Sequence, residues 1–236
     1  MIEPCKRALS YTVIFLLAAV AAYGQRAAIG VASGETTDRF GGLPSATTAV
    51  GDINADFIVI QGSQKNQTPA IVAGGEIVFP ADTTKHASEF SAYAGPIFHF
   101  GSHFSAGFHG QVHKILIPAS NVNGQEFARY NMLLVEVPAV LEYKFSNEPR
   151  HAFLQAQVSP EFKPHFTAPK AGTNYPKPSL DHGYFIRGTA GYVFGKWYAR
   201  ASYETRYFKF TNTLSNPNDL NNWKTNLITV GVGVLF

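Results

Sequence analysis

The chain has 236 residues and a formal net charge of +3, and 45% of the residues are hydrophobic, 15% charged and 14% aromatic. Soluble proteins carry about 25% charged residues, so the chain is poor in charge, yet its mean hydropathy of −0.04 excludes a protein made of several membrane-spanning helices. The near-neutral balance excludes the basic footprint of a nucleic-acid-binding protein, and 19 phenylalanines, 11 tyrosines and 21 glycines favour β-structure.

Residues 1–24 have the pattern of a cleaved secretory signal peptide. Lys6 and Arg7 precede an uncharged apolar run over 8–22, and small residues stand at positions −3 and −1 of the cleavage site that follows. The run is shorter than the roughly 20 residues of a membrane-spanning helix, and the lone cysteine lies before it. We therefore expect secretion through the inner membrane and a mature domain over 25–236 that has no cysteine and no disulfide.

The mature chain alternates apolar and polar residues with a period of two, the pattern of strands that have two different faces. The last segment is the clearest, because Ile228, Val230 and Val232 share one face while Thr229 and Gly231 share the other. Ten segments with this pattern follow one another along the chain: 26–34, 52–61, 69–79, 88–100, 104–117, 129–145, 151–166, 183–194, 197–210 and 225–236.

The connections between these segments alternate between short turns and mostly longer loops rich in Asn, Gly, Pro and Thr. The turns are 62–68, 101–103, 146–150 and 195–196, and the loops are 35–51, 80–87, 118–128, 167–182 and 211–224. This arrangement is typical of a bacterial outer-membrane barrel, which has an even number of strands. It predicts an all-β protein, a closed antiparallel up-and-down transmembrane β-barrel of ten strands with both termini in the periplasm. Eight strands are the alternative, since the first two segments have the weakest pattern.

Alternation alone does not decide which face meets lipid, because a soluble lipocalin-like barrel would place its apolar residues inside. Two features favour lipid outside. Many segments are longer than the roughly 5–6 residues usual in globular sheets, and aromatic residues cluster on the apolar face beside the tight turns. This predicted aromatic girdle consists of Phe98, Phe100, Tyr143, Phe145, Phe194 and Trp197.

The sequence ends on Val230-Gly231-Val232-Gly233-Val234-Leu235-Phe236, which resembles the C-terminal insertion signal of outer-membrane β-barrel proteins. With the signal peptide, the mature chain resembles small single-chain barrels of the OmpA/OmpX type. The resemblance implies the outer membrane of a Gram-negative-type bacterium, and recognition of Val230, Val232, Val234 and Phe236 by the barrel assembly machinery. We expect contact with outer-membrane lipid and lipopolysaccharide, no nucleic acid partner, no cofactor, and a monomer.

Three prolines depart from this pattern. Pro96, Pro138 and Pro160 fall inside predicted strands, where proline removes a ladder hydrogen bond. They predict bulges, or different strand boundaries, at these points.

The polar face of the segments would line the lumen, and it carries charges of both signs. The two-residue turn at 195–196 defines a register in which Arg187 lies opposite Glu204 and Phe194 opposite Trp197. Because small barrels fill their interior with side chains, we expect an ion-paired packing network, with a narrow polar path for small solutes or a ligand pocket as the alternative. The predicted network consists of Glu136, Glu142, Lys144, Glu161, Lys163, Arg187, Arg200, Glu204 and Arg206, beside the acidic residues Asp52, Asp56 and Glu76.

Three histidines, His99, His109 and His113, lie in phase on the same polar face. A three-residue turn at 101–103 would place Ser91 opposite His113, so the three imidazoles would not converge on a metal ion. We expect them to be ordinary lumen-lining residues.

Catalytic candidates near the outer rim are weak. His86 and Ser88 share a strand face. The pair Asp181-His182, with Asp82 and Asp38 in other outer loops, is similar in kind to the Asp/His rim of ten-stranded barrel proteases. No extended motif of such enzymes matches. We therefore expect a structural or surface-interaction role without enzymatic activity, and the alternative is a lipid- or peptide-acting enzyme at the outer rim.

Overall fold

The computed structural model describes residues 27–40, 45–63, 68–83, 86–117, 121–122, 125–126, 130–167, 179–211 and 222–236. The expected signal peptide over 1–24 lies outside them. Within these ranges no helix is long and apolar enough to cross a membrane. The described strands are β1 (Ala27–Phe40), β2 (Ala46–Ile60), β3 (Ala70–Pro80), β4 (Ser88–Phe100), β5 (Phe104–Phe108), β6 (Gly110–Ile117), β7 (Asn121–Val122), β8 (Gln125–Glu126), β9 (Tyr130–Glu136), β10 (Ala139–Lys144), β11 (Arg150–Thr167), β12 (Ser179–Phe194), β13 (Trp197–Thr211) and β14 (Asn222–Leu235).

The strands close into one barrel, in which each strand pairs antiparallel with its neighbours and β14 pairs with β1. β5 and β6 together make one barrel strand, since β4 pairs with both of them. β9 and β10 make another in the same way, since β11 pairs with both. Among the described strands, β7 and β8 stand apart as a two-stranded hairpin. The prediction of a closed antiparallel up-and-down barrel of ten strands is confirmed, and the eight-stranded alternative is wrong.

The two ends of the barrel differ. At one end, here called the turn end, 101–103 joins β4 to β5, and 195–196 joins β12 to β13. Gly195 has a φ of 78°, a left-handed conformation that favours glycine in such a tight turn. The backbone N–H of Phe236 donates to the carbonyl of Ala27 at 2.8 Å at this end, which closes the last strand onto the first. The opposite end, where β1 ends and β2 begins, is called the loop end.

Strands β1 and β2 run further toward the loop end than the alternation predicts. The predicted loop over 35–51 is mostly strand, because β1 continues to Phe40 and β2 begins at Ala46. Thr37 lies opposite Thr47 in this part of the ladder, and their hydroxyl oxygens are 2.9 Å apart. The β-branched threonines suit a strand, but both faces here are largely polar. The apolar signal therefore ends before the strand does.

The three prolines have different surroundings. Pro138 lies between β9 and β10, and its carbonyl accepts a hydrogen bond of 3.0 Å from the backbone N–H of His109, the residue that separates β5 from β6. Pro160 lies in β11 where the partner strand changes from β10 to β9, just before a register shift. Pro96 lies inside β4, opposite Ile71. An interruption is therefore observed at Pro138 and beside Pro160, whereas β4 stays continuous at Pro96.

The wall is apolar outside and polar inside over most of its height. On β14, Ile228, Val230 and Val232 point outward and are 55%, 63% and 52% exposed, whereas Thr229 between them is 2% exposed and faces the lumen. On β13 the guanidinium-bearing Arg206 faces inward and is 1% exposed. This polarity is the reverse of that in a soluble lipocalin-like barrel.

Candidate functional site

Charged side chains from opposite sides of the wall meet in the middle of the lumen. Arg187 on β12 lies directly opposite Glu204 on β13, in the register that the turn at 195–196 predicts, and its Nε donates to Glu204 Oε2 at 2.8 Å. Its Nη2 also lies 2.5 Å from Glu76 Oε2 on β3. One guanidinium group therefore links two separate parts of the barrel wall.

Arg200 extends the ion pairing toward the turn end. Its Nη2 lies 2.7 Å from Asp52 Oδ2 and 3.8 Å from Glu76 Oε1. Beyond it, the hydroxyl of Tyr93 donates to Asp56. The acidic residues that the sequence places on the lumen face of β2 and β3 are thus matched by donors from other strands.

Arg206 and His113 form the loop-end side of the ion pairing. Arg206 Nη1 lies 3.4 Å from Glu89 Oε2 and 3.8 Å from Glu136 Oε1. His113 lies between the same two carboxylates, with Nε2 3.0 Å from Glu89 and Nδ1 3.4 Å from Glu136, and its ring also contacts the Arg206 guanidinium. Gln111 donates to Glu136 Oε2 at 2.8 Å. A single buried cluster here contains two carboxylates, a guanidinium and an imidazole.

A contact of 3.5 Å between Arg206 and Glu204 joins these groups into one cluster. We call it the central ion network, and its members are Asp52, Glu76, Glu89, His113, Glu136, Arg187, Arg200, Glu204 and Arg206. Two of the residues expected in such a network, Glu142 and Lys144, instead pair with each other at 3.4 Å nearer the turn end, where both are partly exposed. The side chains of Glu161 and Lys163 lie outside the described residues.

Sequence reasoning misses Glu89 and His113 as members of this network. Glu89 has the same parity on β4 as Ser91, which lies opposite His113 as the turn at 101–103 predicts. Parity could therefore have placed Glu89 in the lumen. Alternation cannot show that Arg206, from a distant strand, reaches it, because contacts across the lumen depend on the strand number and stagger of the closed barrel.

The three lumen histidines have separate partners. His99 Nδ1 lies 2.8 Å from Ser105 Oγ, and His109 stacks on Tyr93 with ring centroids 4.8 Å apart, whereas His113 belongs to the central ion network. In the part of the chain that the structure describes, no three His, Cys, Asp or Glu side chains are placed to hold one metal ion.

Toward the loop end the lumen becomes apolar, a change that the expectation of a polar lumen face did not include. Phe208 and Phe210 follow Arg206 on the lumen side of β13, and Phe208 stacks on Trp223 of β14 with centroids 5.3 Å apart. We call this cluster the apolar plug, and its members are Ala87, Ile115, Met132, Leu134, Phe208, Phe210 and Trp223. Alternation does not predict it, because β9 is apolar on both faces at this level, and on β13 Phe208 and Phe210 occupy the same face as the charged residues Glu204 and Arg206.

A buried polar cluster lies against the apolar plug. His86 Nδ1 is 2.8 Å from Asp38 Oδ2, and Trp223 Nε1 donates to Asp38 Oδ1 at 3.0 Å. The sequence places Asp38 in an outer loop and His86 at the outer rim, but the structure brings them together inside the barrel, where they are 1% and 2% exposed.

The second pair of catalytic candidates lies on the surface. His182 Nδ1 is 3.1 Å from Asp181 Oδ2, which is also 3.4 Å from Lys209 Nζ, and all three side chains are well exposed. Within the described residues, no ion pair or hydrogen bond joins this group to Asp38 or His86. The candidates therefore form two separate pairs rather than one site.

All six residues of the predicted aromatic girdle point outward at the turn end. Tyr143 packs edge-on against Phe145 with centroids 5.2 Å apart, and Phe194 lies opposite Trp197 as the register predicts. At the loop end of the same wall, Tyr184 stacks on Tyr207 at 5.7 Å. Aromatic side chains thus mark both ends of the apolar surface.

No protein-family model matches the chain, and no curated protein matches it. Among solved structures it is similar to the outer membrane protease OmpT from Escherichia coli (12% identity, 91% of this chain and 98% of that chain, TM-score 0.46). It is also similar to Neisserial surface protein A, with 13% identity, 89% of this chain and 97% of that chain covered, and a TM-score of 0.40. A third similar structure is the outer membrane protein OprG from Pseudomonas aeruginosa, with 10% identity, 90% of this chain and 97% of that chain covered, and a TM-score of 0.32. The barrel fold of this chain rests on its own strand pairing and not on these similarities. At these identities and scores no activity is transferred from any of them.

Proposed function

We propose that this chain is an integral outer-membrane β-barrel protein with a structural or surface-interaction role and a lumen filled by its own side chains. The observation that carries the proposal is the polarity of the closed barrel: large apolar side chains such as Val135 (61% exposed) cover the outside, while charged groups such as Arg206 and Glu136 are buried inside. In water this arrangement would leave a continuous apolar surface exposed, whereas in a bilayer it places apolar side chains in lipid.

The height of the apolar wall supports the proposal. On β13 the outward aromatic residues Trp197 and Tyr207 stand ten positions apart. At about 3.3 Å per residue and a strand tilt of about 40°, this separation corresponds to about 25 Å along the membrane normal, which matches the apolar band of outer-membrane barrels. The six girdle residues would then lie at the periplasmic interface, with Tyr184 and Tyr207 at the outer one.

The contents of the lumen favour a barrel with a filled interior over an open channel. The central ion network crosses the lumen between β3, β12 and β13, and the apolar plug follows it toward the loop end. Arg206 and Phe208, two positions apart on β13, are 1% and 0% exposed, so both layers are closely packed. The buried position of Asp38 and His86 does not suit a hydrolytic site open to substrate, and we therefore favour a non-enzymatic role.

We also propose that the last strand carries the insertion signal. Val230, Val232 and Phe236 are 63%, 52% and 60% exposed on the outer face of the wall, with Val234 on the same face and less exposed. They offer the assembly machinery an apolar edge and a terminal aromatic ring. Phe236→Ser should lower the amount of assembled barrel in cells and leave refolding from urea into detergent micelles unchanged, whereas equal losses in both assays would assign Phe236 to barrel stability alone.

The test of the membrane assignment is an SDS gel of the outer-membrane fraction, run with and without boiling. A closed barrel has no free strand edge from which to open, so the unboiled protein should migrate as a compact band. Recovery in the soluble periplasm without a shift would contradict the proposal. In planar bilayers we expect no steady conductance, and stable single-channel steps would overturn the filled lumen while leaving the barrel assignment intact.

A matched pair of variants tests the depth of the wall. Tyr203→Lys introduces a charge in the middle of the outer face, where Tyr203 is 50% exposed, and should cost about 2–4 kcal/mol in a bilayer. Tyr184→Lys, at the loop-end limit on the neighbouring strand β12, should cost about 0–1 kcal/mol. Equal costs in lipid vesicles would contradict the placement of the band.

A further inference from the structure

Two basic residues lie side by side on the outer wall at the loop end. Arg39 on β1 is directly opposite Lys224 on β14 in the antiparallel ladder. Both side chains point outward and are exposed. Like charges directly opposite each other destabilise a strand pair, so an anion between the two side chains would stabilise this arrangement.

The described protein does not supply that anion. Neither Arg39 nor Lys224 forms an ion pair with a described residue. Glu35 faces outward on the same strand as Arg39, but four positions away, or about 13 Å along the strand, which is too far for an ion pair. On the other side, the carboxylate of Asp181 already pairs with Lys209, whose Nζ lies 3.4 Å from Asp181 Oδ2. The pair of cations is therefore uncompensated within the described structure.

The position of the pair relative to the apolar wall indicates its surroundings. Lys224 lies opposite Tyr207 on β13, the residue that marks the loop-end limit of the apolar band. The next outward residues toward the middle of the wall, Thr37 and Asn226, lie opposite each other and are polar but uncharged. On β13 and β14 the apolar band therefore ends beside the two cations, which places them at the level of lipid headgroups, whereas on β1 the outward polar residues continue inward to Glu35.

We propose that Arg39 and Lys224 form a binding site for the phosphate group of a lipid headgroup in the outer leaflet. A phosphate between the two side chains removes their repulsion. It accepts a bidentate pair of hydrogen bonds from the Arg39 guanidinium and is attracted by the positive charge of the Lys224 ammonium. The ring of Tyr207 offers an apolar surface beside them. This site rests on the proposed function, because it needs the wall to stand in the outer membrane.

The test compares phosphorylated and dephosphorylated lipid A binding to the purified, folded chain in detergent micelles, measured by native mass spectrometry. Arg39→Gln and Lys224→Gln should each weaken binding of the phosphorylated lipid about tenfold, the usual loss of a charge-assisted hydrogen bond, and the double variant should bind both lipids equally. The control is Lys114→Gln, which removes an exposed outward lysine whose cross-strand neighbours are Phe90 and Leu133. It should bind as the unchanged protein does.

Several outcomes would overturn the site. Equal binding of the two lipids by the unchanged protein would remove the role of phosphate. An effect of Lys114→Gln as large as that of Lys224→Gln would show that lipid binding depends on the overall positive charge of the protein and not on this pair. Complete displacement of the lipid by inorganic phosphate at equal concentration would show a site for a free anion instead of a headgroup.

Folding of the variants is checked on the same samples by the compact band on an unboiled gel. Each glutamine relieves the repulsion between the cations, so the lipid-free variants should be at least as stable as the unchanged protein. Because binding is measured in micelles, it does not depend on the location of the chain in cells. Phosphate-dependent binding by a protein recovered from the soluble periplasm would contradict the proposed function alone, whereas an outer-membrane barrel without phosphate preference would contradict only this site.

Discussion

The two halves of the filled lumen are built from opposite kinds of side chain. Arg206 and Phe208 are separated by one residue on β13 and both are almost fully buried, yet the first belongs to the central ion network and the second to the apolar plug. Arg206 is surrounded by carboxylates from two other strands, Glu89 and Glu136, and by Glu204 on its own strand, whereas Phe208 is surrounded by rings and aliphatic groups. The polarity of the lumen therefore changes between two successive lumen-facing residues of one strand.

Burial has different consequences in the two layers. In the central ion network, each charge is tolerable because opposite charges meet it, and removing one partner leaves the other buried without compensation. In the apolar plug, truncation leaves a cavity and lost contacts instead. The two layers should therefore respond differently to chemically similar changes, which the following variants test.

The largest effect should come from Glu204, which faces two guanidinium groups. Glu204→Ala leaves Arg187 and Arg206 each without one carboxylate, and breaking a buried pair in this way costs about 3–5 kcal/mol. The free energy of unfolding in urea, followed by tryptophan fluorescence of the barrel in micelles, measures it. A loss below about 1 kcal/mol, the value of an exposed pair, would contradict the importance of the network for stability.

A smaller effect should come from the polar edge of the apolar plug. Trp223→Phe keeps an aromatic ring on Phe208 but removes the Nε1 donor to Asp38. The loss of a hydrogen bond to a charged group costs about 1.5–3 kcal/mol. The control is Trp197→Phe, since Trp197 is 53% exposed on the outer wall, and the urea midpoint of the compact gel band measures both. Equal midpoints for the two variants would show that the bond to Asp38 does not stabilise the plug.

Much of the fold follows from local signals in the sequence. Period-two alternation indicates the strands, and a two-residue turn at 195–196 determines the pairing of Arg187 with Glu204, because the side chains of a strand alternate strictly between faces and a tight turn defines the register. The same reasoning from the turn at 101–103 gives the correct pairing of Ser91 with His113.

The remaining features depend on closure of the barrel. Arg206 reaches Glu89 across the lumen, although 117 positions separate them in the chain, and no local pattern encodes that distance. Asp38 and His86 meet for the same reason, from strand ends that the sequence assigns to loops. The apolar plug is missed because alternation identifies which face a residue occupies, but not whether that face is polar at every level.

The boundary between the two layers offers a third test. Thr36 and Thr225 face each other in the lumen with their hydroxyl oxygens 3.2 Å apart, and both are buried. Thr36→Val leaves the Thr225 hydroxyl without this partner, which should cost about 1 kcal/mol, while the double change to valine removes both polar groups and should recover most of the loss. A double-mutant cycle on the free energy of unfolding measures the coupling. Additive losses would mean that the two hydroxyls do not stabilise each other.

The smallest effect should come from the ion pair outside the network. Glu142 and Lys144 lie 3.4 Å apart near the turn end, and their side chains are 26% and 38% exposed, so water screens the attraction between them. Glu142→Gln should change the free energy of unfolding by about 0–1 kcal/mol, and added salt should reduce even this difference. Glu204→Gln is the matched change in the buried network, where the lost charge leaves two arginines under-compensated and salt has little access. If the two substitutions cost the same, enclosure by the apolar plug and the barrel wall would not be what makes the central charges important.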